Sequence, residues 1–239
     1  MKTDIPRLVD FDRIVFFTGA GMSAESGVPT FRGKGGIWKE YDYEEYACAD
    51  AFARQPEKVW EFHNYRRGLV AACAPNDGHR LVARCQRLKP GATVVTQNID
   101  GLHQAAGSER VIELHGGLWR LRCDACGARS ERRDAPLVDT RCTGCGRFWR
   151  PDIVWFGDYL SPTVLRAAGE ALRGCQLLVS VGTSGVVHPA ATMPREAKAA
   201  GAVLVEINPE PTPVSDLYDV HLRGPASAML AAMAEGLPA

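Results

Sequence analysis

Four cysteines stand in two pairs, Cys123 with Cys126 and Cys142 with Cys145, two residues apart within each pair and 15 residues between pairs. Thiols at this spacing sit on two tight turns and can close a tetrahedron of thiolates around one zinc ion. Gly127 and Gly146 follow the second cysteine of each pair. Four thiolates leave no open position for water, so such an ion is structural, and the segment is too small to fold without it. Two redox C-x-x-C motifs are the alternative reading. Reactive chemistry must then come from elsewhere. Thr96-Gln97-Asn98-Ile99-Asp100 puts polar side chains just past an apolar run, and His115 follows another such run and precedes Gly116-Gly117. An imidazole on a glycine-flanked turn titrates near neutrality and suits a general base. A lone histidine fits a structural role as well, and His103 reads equally as a core or supporting residue. Gly19-Ala20-Gly21-Met22-Ser23-Ala24 fits G-x-G-x-x-A. In that motif Gly19 permits a tight turn, Gly21 lets backbone approach a pyrophosphate, Ala24 allows close helix packing and the helix N-terminus favours negative charge. Alone, the motif also fits a plain small-residue turn. The acidic ribose ligand of a dehydrogenase should end a second strand about 20 residues on. Glu40, Asp42 and Glu44 fall there with no strand before them, so an ordinary hydride-transfer unit is not indicated.

These groups need a scaffold, and hydrophobic spacing supplies one. Short apolar runs at 13–17, 92–96, 111–114, 176–181, 202–207 and 219–222 read as buried strands. Helical spacing covers 56–73, with Val59, Phe62 and Leu69 inward, and 77–88, with Leu81, Val82 and Cys85 inward. Further helices are expected over 164–172, 190–200 and 226–235. Strands alternating with helices predict an α/β fold: a Rossmann-like parallel sheet with helices on both faces. Ligands of such sheets bind at the carboxyl ends of the strands, where Gln97, Asn98, Asp100 and His115 fall. Residues 118–149 lack periodicity and read as an inserted zinc module. The expected division is a nucleotide-binding unit over 9–35, 70–117 and 150–239, a small helical segment over 36–69, and the zinc module over 118–149.

The chain has 239 residues, 46% hydrophobic, with 28 basic and 28 acidic side chains. This balance argues against sequence-blind binding of nucleic acid or anionic lipid; Arg129, Arg132 and Arg133 read as a solvated loop. The first residues lack the apolar core of a secretory signal, and no apolar run reaches membrane-spanning length. A cytoplasmic protein with no membrane partner is expected. In that reducing setting Cys48, Cys73, Cys85 and Cys175 read as small buried hydrophobes.

Taken together, Gly19-Ala-Gly-Met-Ser23, Gly27-Val-Pro-Thr-Phe-Arg32, Thr96-Gln-Asn-Ile-Asp100, His115-Gly116 and Gly182-Thr-Ser184 stand in the order found in sirtuins. The four cysteines lie between His115 and Trp155-Phe-Gly157, where that family carries them. The chain closely resembles the sirtuin family from about Phe11 to its C-terminal helix. The resemblance implies an NAD-consuming protein-lysine deacylase with one structural zinc ion, acting on acylated lysine in protein segments. In that chemistry the acyl oxygen attacks the nicotinamide-bearing ribose carbon and nicotinamide leaves. His115 then deprotonates a ribose hydroxyl, and water finally releases lysine and O-acyl-ADP-ribose. The resemblance places Asn98 and Asp100 at the ribose and nicotinamide amide, Asn98 as a catalytic partner of His115, and Gln97 on the ribose side. It places Gly19, Ala20, Gly21, Ser23, Phe31 and Arg32 in the cofactor loop, with Phe31 shielding the reactive carbon from water. Gly182, Thr183, Ser184, Asn208 and Ala226 would line the adenosine half. Phe156, Gly157, Gly185 and Val186 would clamp the substrate peptide as an added strand. Asp158 departs from the glutamate common there.

The small helical segment resembles the class III branch of the family, which takes acidic acyl groups. Those members place an alanine, then a tyrosine and an arginine three residues apart, around the acyl pocket. Ala47 and Arg66 match, but His63 stands in the tyrosine position. Arg66 could pair with a succinyl or malonyl carboxylate. His63 reaches less far than a phenol and fits a smaller or hydroxylated group. An exposed helix face carrying both residues is the alternative reading. Tyr65 should point away from their face. Three rival functions are a mono-ADP-ribosyltransferase on the same pocket, a non-catalytic NAD sensor and a zinc-dependent nucleic-acid binder. The intact Asn98, Asp100 and His115 argue against the second, and the neutral charge against the third.

Overall fold

A computed structural model describes residues 5–30 and 41–238. Phe31 and Arg32 lie outside the described residues. In chain order the elements are β1 (Ile14–Thr18), α1 (Tyr43–Tyr46), α2 (Ala49–Arg54), α3 (Pro56–Ala71), α4 (Asp77–Leu88), β2 (Thr93–Thr96), α5 (Leu102–Ala105), β3 (Val111–Glu113), β4 (Gly116–Arg122), β5 (Arg129–Glu131), β6 (Arg150–Ile153), α6 (Pro162–Gly174), β7 (Leu177–Val181), α7 (Pro194–Ala199), β8 (Val203–Ile207), β9 (Val220–Leu222) and α8 (Ala226–Met233).

Six strands pair in the order β3-β2-β1-β7-β8-β9, every pairing parallel. The order runs outward in both directions from β1, so a crevice opens where β1 meets β7, as in doubly wound sheets. Alternate residues of one strand serve opposite faces. Ile14 and Phe16 join a core with Val82 and Cys85 of α4 and Leu230 and Met233 of α8. Val15 and Phe17 join a second core with Ala168 and Leu172 of α6 and Ala197 of α7. Burial on both faces explains why these strands read as unbroken apolar runs. The expected α/β architecture is the one observed.

A second, three-stranded antiparallel sheet, β5-β4-β6, carries the cysteine pairs at its margin. The same chain segment brings Gly116 against β6. A Cβ at Gly116 would lie 2.0 Å from the Asp152 carbonyl, and its φ is +76°, so glycine is required beside His115.

Helix α3 ties the two sheets together. Val59 and Trp60 are buried, but so are the polar His63, Arg66 and Arg67. Arg67 donates to the carbonyls of Asp134 (2.9 Å), Leu118 (2.7 Å) and Arg132 (2.5 Å), and lies over the Trp119 ring. Asn64 exchanges two bonds with the Leu137 backbone, and the Trp60 indole donates to Trp149 O at 2.7 Å. Tyr65 points outward, as expected, and is 46% exposed.

Three local expectations need correction. The helix expected over 190–200 is a 3-10 turn at Ala190–Thr192 followed by α7, because Pro194 has no N–H to continue a preceding turn and sits instead at a helix start. The segment after Gly19 is a 3-10 helix, Ala20–Ser26, not an α-helix. Ala24 is exposed there, and the close packing expected of it falls to the buried Met22.

Candidate active site and zinc centre

The carboxyl ends of the central strands carry the polar groups. Gly19 N–H bonds the carbonyl of Val181, Gly21 N–H that of Gly182 (3.0 Å), and Gly182 N–H that of Ile207. The approach is too close for a side chain: a Cβ on Gly182, whose φ is +61°, would lie 2.4 Å from Gly21 Cα. The glycines thus hold the loop after β1 against the end of β7 at the switch point.

Behind this loop lies a buried hydrogen-bonded cluster. Asn98 donates through Nδ2 to Gly19 O (2.9 Å) and Ser23 Oγ (3.2 Å). Ser23 donates to Asp100 Oδ2 at 2.7 Å, and Asp100 Oδ1 accepts from Leu102 N–H at 2.9 Å. Burial raises the Asp100 pKa, against these bonds and the charge of Arg66, which favour the carboxylate. Gln97 N–H bonds Thr18 O.

His115 closes the rim. Its Nδ1 lies 3.0 Å from the Gln97 carbonyl. A carbonyl only accepts, so the proton sits on Nδ1 and Nε2 keeps its lone pair. Among the described residues nothing bonds Nε2, and the side chain stays half-buried. Burial lowers its pKa, and the Gln97 bond only partly opposes this. The neutral, proton-accepting form therefore prevails at neutral pH. The His115 carbonyl accepts from Val154 N–H at 3.0 Å, which fixes the strand leading to Phe156 beside it.

Phe156 N–H in turn bonds the Ala47 carbonyl at 3.1 Å, and its exposed ring lies 4.4 Å from that of Tyr43. Gly157 follows on the surface, and Asp158 accepts from Trp155 N–H at 3.0 Å while pairing with Arg150. Ser184 and Val186 are exposed and Gly185 half-buried, on the loop after β7. Asn208, past β8, donates to Thr183 O at 2.7 Å. Ala226 is buried at the start of α8, whose Ser227 bonds Glu25 beyond the glycine loop. His63 and Arg66 are 1% and 7% exposed, which removes the exposed-face reading. Burial draws the Arg66 guanidinium pKa down to about 10, so it is still charged at pH 7.

The four cysteine sulfurs lie within 4.8 Å of one another. Cys123 and Cys145 are 3.5 Å apart and Cys126 and Cys142 3.7 Å. Zinc–sulfur bonds of 2.3 Å in a tetrahedron require sulfurs about 3.8 Å apart, so the donor set fits one zinc ion. The Cys126 and Ala125 N–H groups and the Cys145 and Cys126 thiols draw the Cys123 thiol down to about 7, with burial opposing them. Against the Ala128 N–H, the neighbouring thiols raise the Cys126 pKa to about 12 in turn, so one thiolate of the set forms at another's expense.

One residue here, His79, went unnoticed in the sequence. His79 accepts through Nδ1 from Asn76 N–H and lies 3.4 Å from Ser23 Oγ through Nε2. Its ring meets His103 edge-on at 4.8 Å, and His103 bonds Thr18 at 3.0 Å. The signal available was a capping pattern, Asn76-x-x-His79, at the start of α4. Burial pushes the His79 pKa down to about 4 and that of His103 to about 3. Both folded values lie below the unfolded one, so their stability contribution is full above pH 6.5 and is lost as pH falls toward 4 and 3. At pH 5 each costs about 2 kcal/mol, which lowers Tm by roughly 8–16 °C for the pair. The raised Asp100 pKa opposes part of this. Thermal melts at pH 7 and pH 5 measure the drop, and His103→Gln should remove about half of it. An unchanged Tm at pH 5 would refute the account.

A family model described as the Sir2 family matches residues 19–189. An NAD-dependent protein deacylase of Aquifex aeolicus is 46% identical over 219 residues, covering 91% of this chain and 92% of that protein. The mitochondrial NAD-dependent protein deacylase sirtuin-5 of Canis lupus familiaris is 40% identical over 245 residues, covering 91% of this chain and 79% of that protein. The solved structure of a Sir2 homologue bound to NAD superposes with a TM-score of 0.89 at 41% identity, covering 95% of this chain and 90% of that one. A mutant Sir2 homologue with ADP-ribose reaches 0.92 at 41% identity, covering 95% and 92%. With these parallels along nearly its whole length, a glycine loop at the sheet's switch point and a closed thiol set, the chain belongs to the Sir2 family.

Proposed function

We infer that the rim residues carry out NAD-dependent deacylation of protein lysine, and that His115 is the proton acceptor. NAD supplies the ribose carbon to which the acyl group passes, with nicotinamide as leaving group. The observation that carries the reading is the His115 imidazole, its proton fixed on Nδ1 by a backbone carbonyl and its Nε2 without a partner among the described residues, beside the Asn98–Ser23–Asp100 cluster. Nε2 receives a ribose hydroxyl proton. Asn98 has both amide donors engaged, which leaves its oxygen as the atom to accept from ligand, and Asp100 and Gln97 hold the ribose and amide side. Gly19, Ala20, Gly21 and Ser23, with Phe31 and Arg32, form the cofactor loop; Gly182, Thr183, Ser184, Asn208 and Ala226 line the adenosine half. Phe156, Gly157, Gly185 and Val186 clamp the peptide, and Ala47, His63 and Arg66 surround the acyl group. Four sulfurs, Cys123, Cys126, Cys142 and Cys145, hold the zinc.

The substrate is an acylated lysine in a protein segment, and neither nucleic acid nor membrane is part of the reading. Among the described residues no helix is long and apolar enough to cross a membrane. The cytoplasm suits the free thiols of Cys48, Cys73, Cys85 and Cys175.

Small acyl groups should leave fastest, because the pocket residues His63 and Ala47 are buried among Trp155 and other core side chains. Succinyl removal should be weak and should depend on Arg66. Acyl-lysine peptides incubated with NAD and read by mass spectrometry test this. Expected products are free lysine and O-acyl-ADP-ribose, with residual desuccinylation abolished by Arg66→Ala. A mass gain of ADP-ribose on the target would favour the transferase alternative. Fastest turnover of a long-chain peptide would reject the pocket assignment.

A further inference from the structure

Around the Trp155 ring, four buried polar atoms have no hydrogen-bond partner among the described residues: the indole Nε1, both ring nitrogens of His63, and Nε of Arg150. Native interiors rarely leave such atoms unpaired, and a cluster of them asks for an occupant. Two other buried tryptophans nearby have theirs satisfied, Trp60 by Trp149 O and Trp119 by Asp100 O.

The ring packing is specific. His63 stacks on the Trp155 indole, centroids 5.6 Å apart and planes 21° apart. The Arg150 guanidinium lies 3.9 Å from the indole centroid, held by Asp158 and Asp124 through its other nitrogens. Trp60 and Phe62 stand edge-on to His63. The site adjoins the peptide clamp, since Trp155 precedes Phe156, whose N–H bonds Ala47. It also adjoins Arg66, one helical turn from His63.

The charge state of His63 narrows the ligand. It is sealed from water, and the positive Arg66, Arg67 and Arg150 oppose its protonation. A neutral imidazole offers one donor and one acceptor, and the indole one donor. A hydrocarbon tip leaves all of them unpaired. A carboxylate only accepts, so it can pair with the imidazole N–H and the indole N–H but not with the bare imidazole nitrogen. A hydroxyl can donate to the bare nitrogen of His63 while it accepts from the Trp155 indole.

We propose that Trp155 and His63 form a polar end wall of the acyl pocket that selects a short, uncharged acyl group bearing a hydroxyl. The proposal rests on the deacylase reading above and adds Trp155 as a specificity-determining residue. Arg66 then serves as a further donor to the same oxygen.

The test uses the full-length, zinc-loaded protein, NAD, and one peptide carrying acetyl, butyryl, each enantiomer of 3-hydroxybutyryl, or succinyl lysine. The expected kcat/KM for one hydroxybutyryl enantiomer exceeds that for butyryl by at least about tenfold, as a site built around a hydroxyl discriminates against its absence. That ratio should fall to about one in Trp155→Phe and in His63→Phe, which keep an aromatic ring and lose the polar atoms. Should either variant not fold, the wild-type ratio and the preference between enantiomers decide. Equal rates for butyryl and both enantiomers would mean that a resident water fills the cluster, and would overturn the proposal. So would succinyl as the fastest substrate, or a ratio unchanged in both variants. The panel separates the two readings: turnover of none of the acyl peptides by the wild type sinks the deacylase reading itself, while turnover beside a flat panel sinks only the end wall.

Discussion

His115→Ala is expected to cut turnover of an acylated peptide by about 10²–10⁴-fold, the usual contribution of a positioned general base. Among the described residues the imidazole makes one bond, from Nδ1 to the Gln97 carbonyl, so the variant should melt near the wild type and keep its zinc. The pH profile supplies an independent check. Proton acceptance needs the neutral ring, and burial depresses the His115 pKa below 6.5. Activity should therefore rise through an acid limb centred below pH 6.5 and stay level through neutrality. His115→Gln should be no better than alanine, since an amide cannot take the proton. A kcat limb centred well above pH 7, or a His115→Ala enzyme within tenfold of wild type, would assign the proton to another group.

Zinc removal should have an effect of similar size by a different route. Zinc binding to such modules is worth about 10–16 kcal/mol, more than the whole stability of many domains. Stripping the ion with a chelator, or Cys142→Ser, should unfold the module around β4, β5 and β6. The carbonyls of Asp134, Arg132, Leu137 and Trp149 then no longer meet Arg67, Asn64 and Trp60. Helix α3 loses its anchors, and the acyl-pocket residues His63 and Arg66 go with it. Deacylation should fall in proportion to bound zinc, measured by metal analysis beside circular dichroism, and return when zinc is restored under reducing conditions. Full turnover by a zinc-free protein would disprove the coupling.

Much of this was legible in the residues because the relevant physics is local. A strand buried on two faces is mostly apolar, and β1, β7 and β8 are, apart from Thr18, Ser180 and Glu206 near their carboxyl ends. Metal ligands on turns have a fixed spacing, and the four cysteines show it. Glycines at a backbone contact cannot be replaced, and Gly19, Gly21 and Gly116 stand out for that reason. The sheet-end location of His115 follows from the strand that precedes it. What could not be read depends on partners distant in sequence. The polar face of α3 looks like a solvated surface until residues some 70 positions later supply its acceptors: Arg67 meets Asp134, and Asn64 meets Leu137. His79 and His103 fall 24 residues apart on separate helices, and only the fold stacks them behind Ser23. Ala24 fits a motif whose packing role needs an α-helix, and the chain makes a tighter turn there instead.

One rod, α3, carries the proposed acyl-pocket residues and is latched to the cysteine-bearing module. Laboratory evolution of this enzyme toward a new acyl chain would therefore move thermal tolerance at the same time. Mutations that retune His63 shift the helix on which Arg67 hangs, and substitutions around residues 132–137, which meet that helix through Arg67 and Asn64, can retune selectivity in return. Libraries that vary both sets together would reach combinations that neither reaches alone.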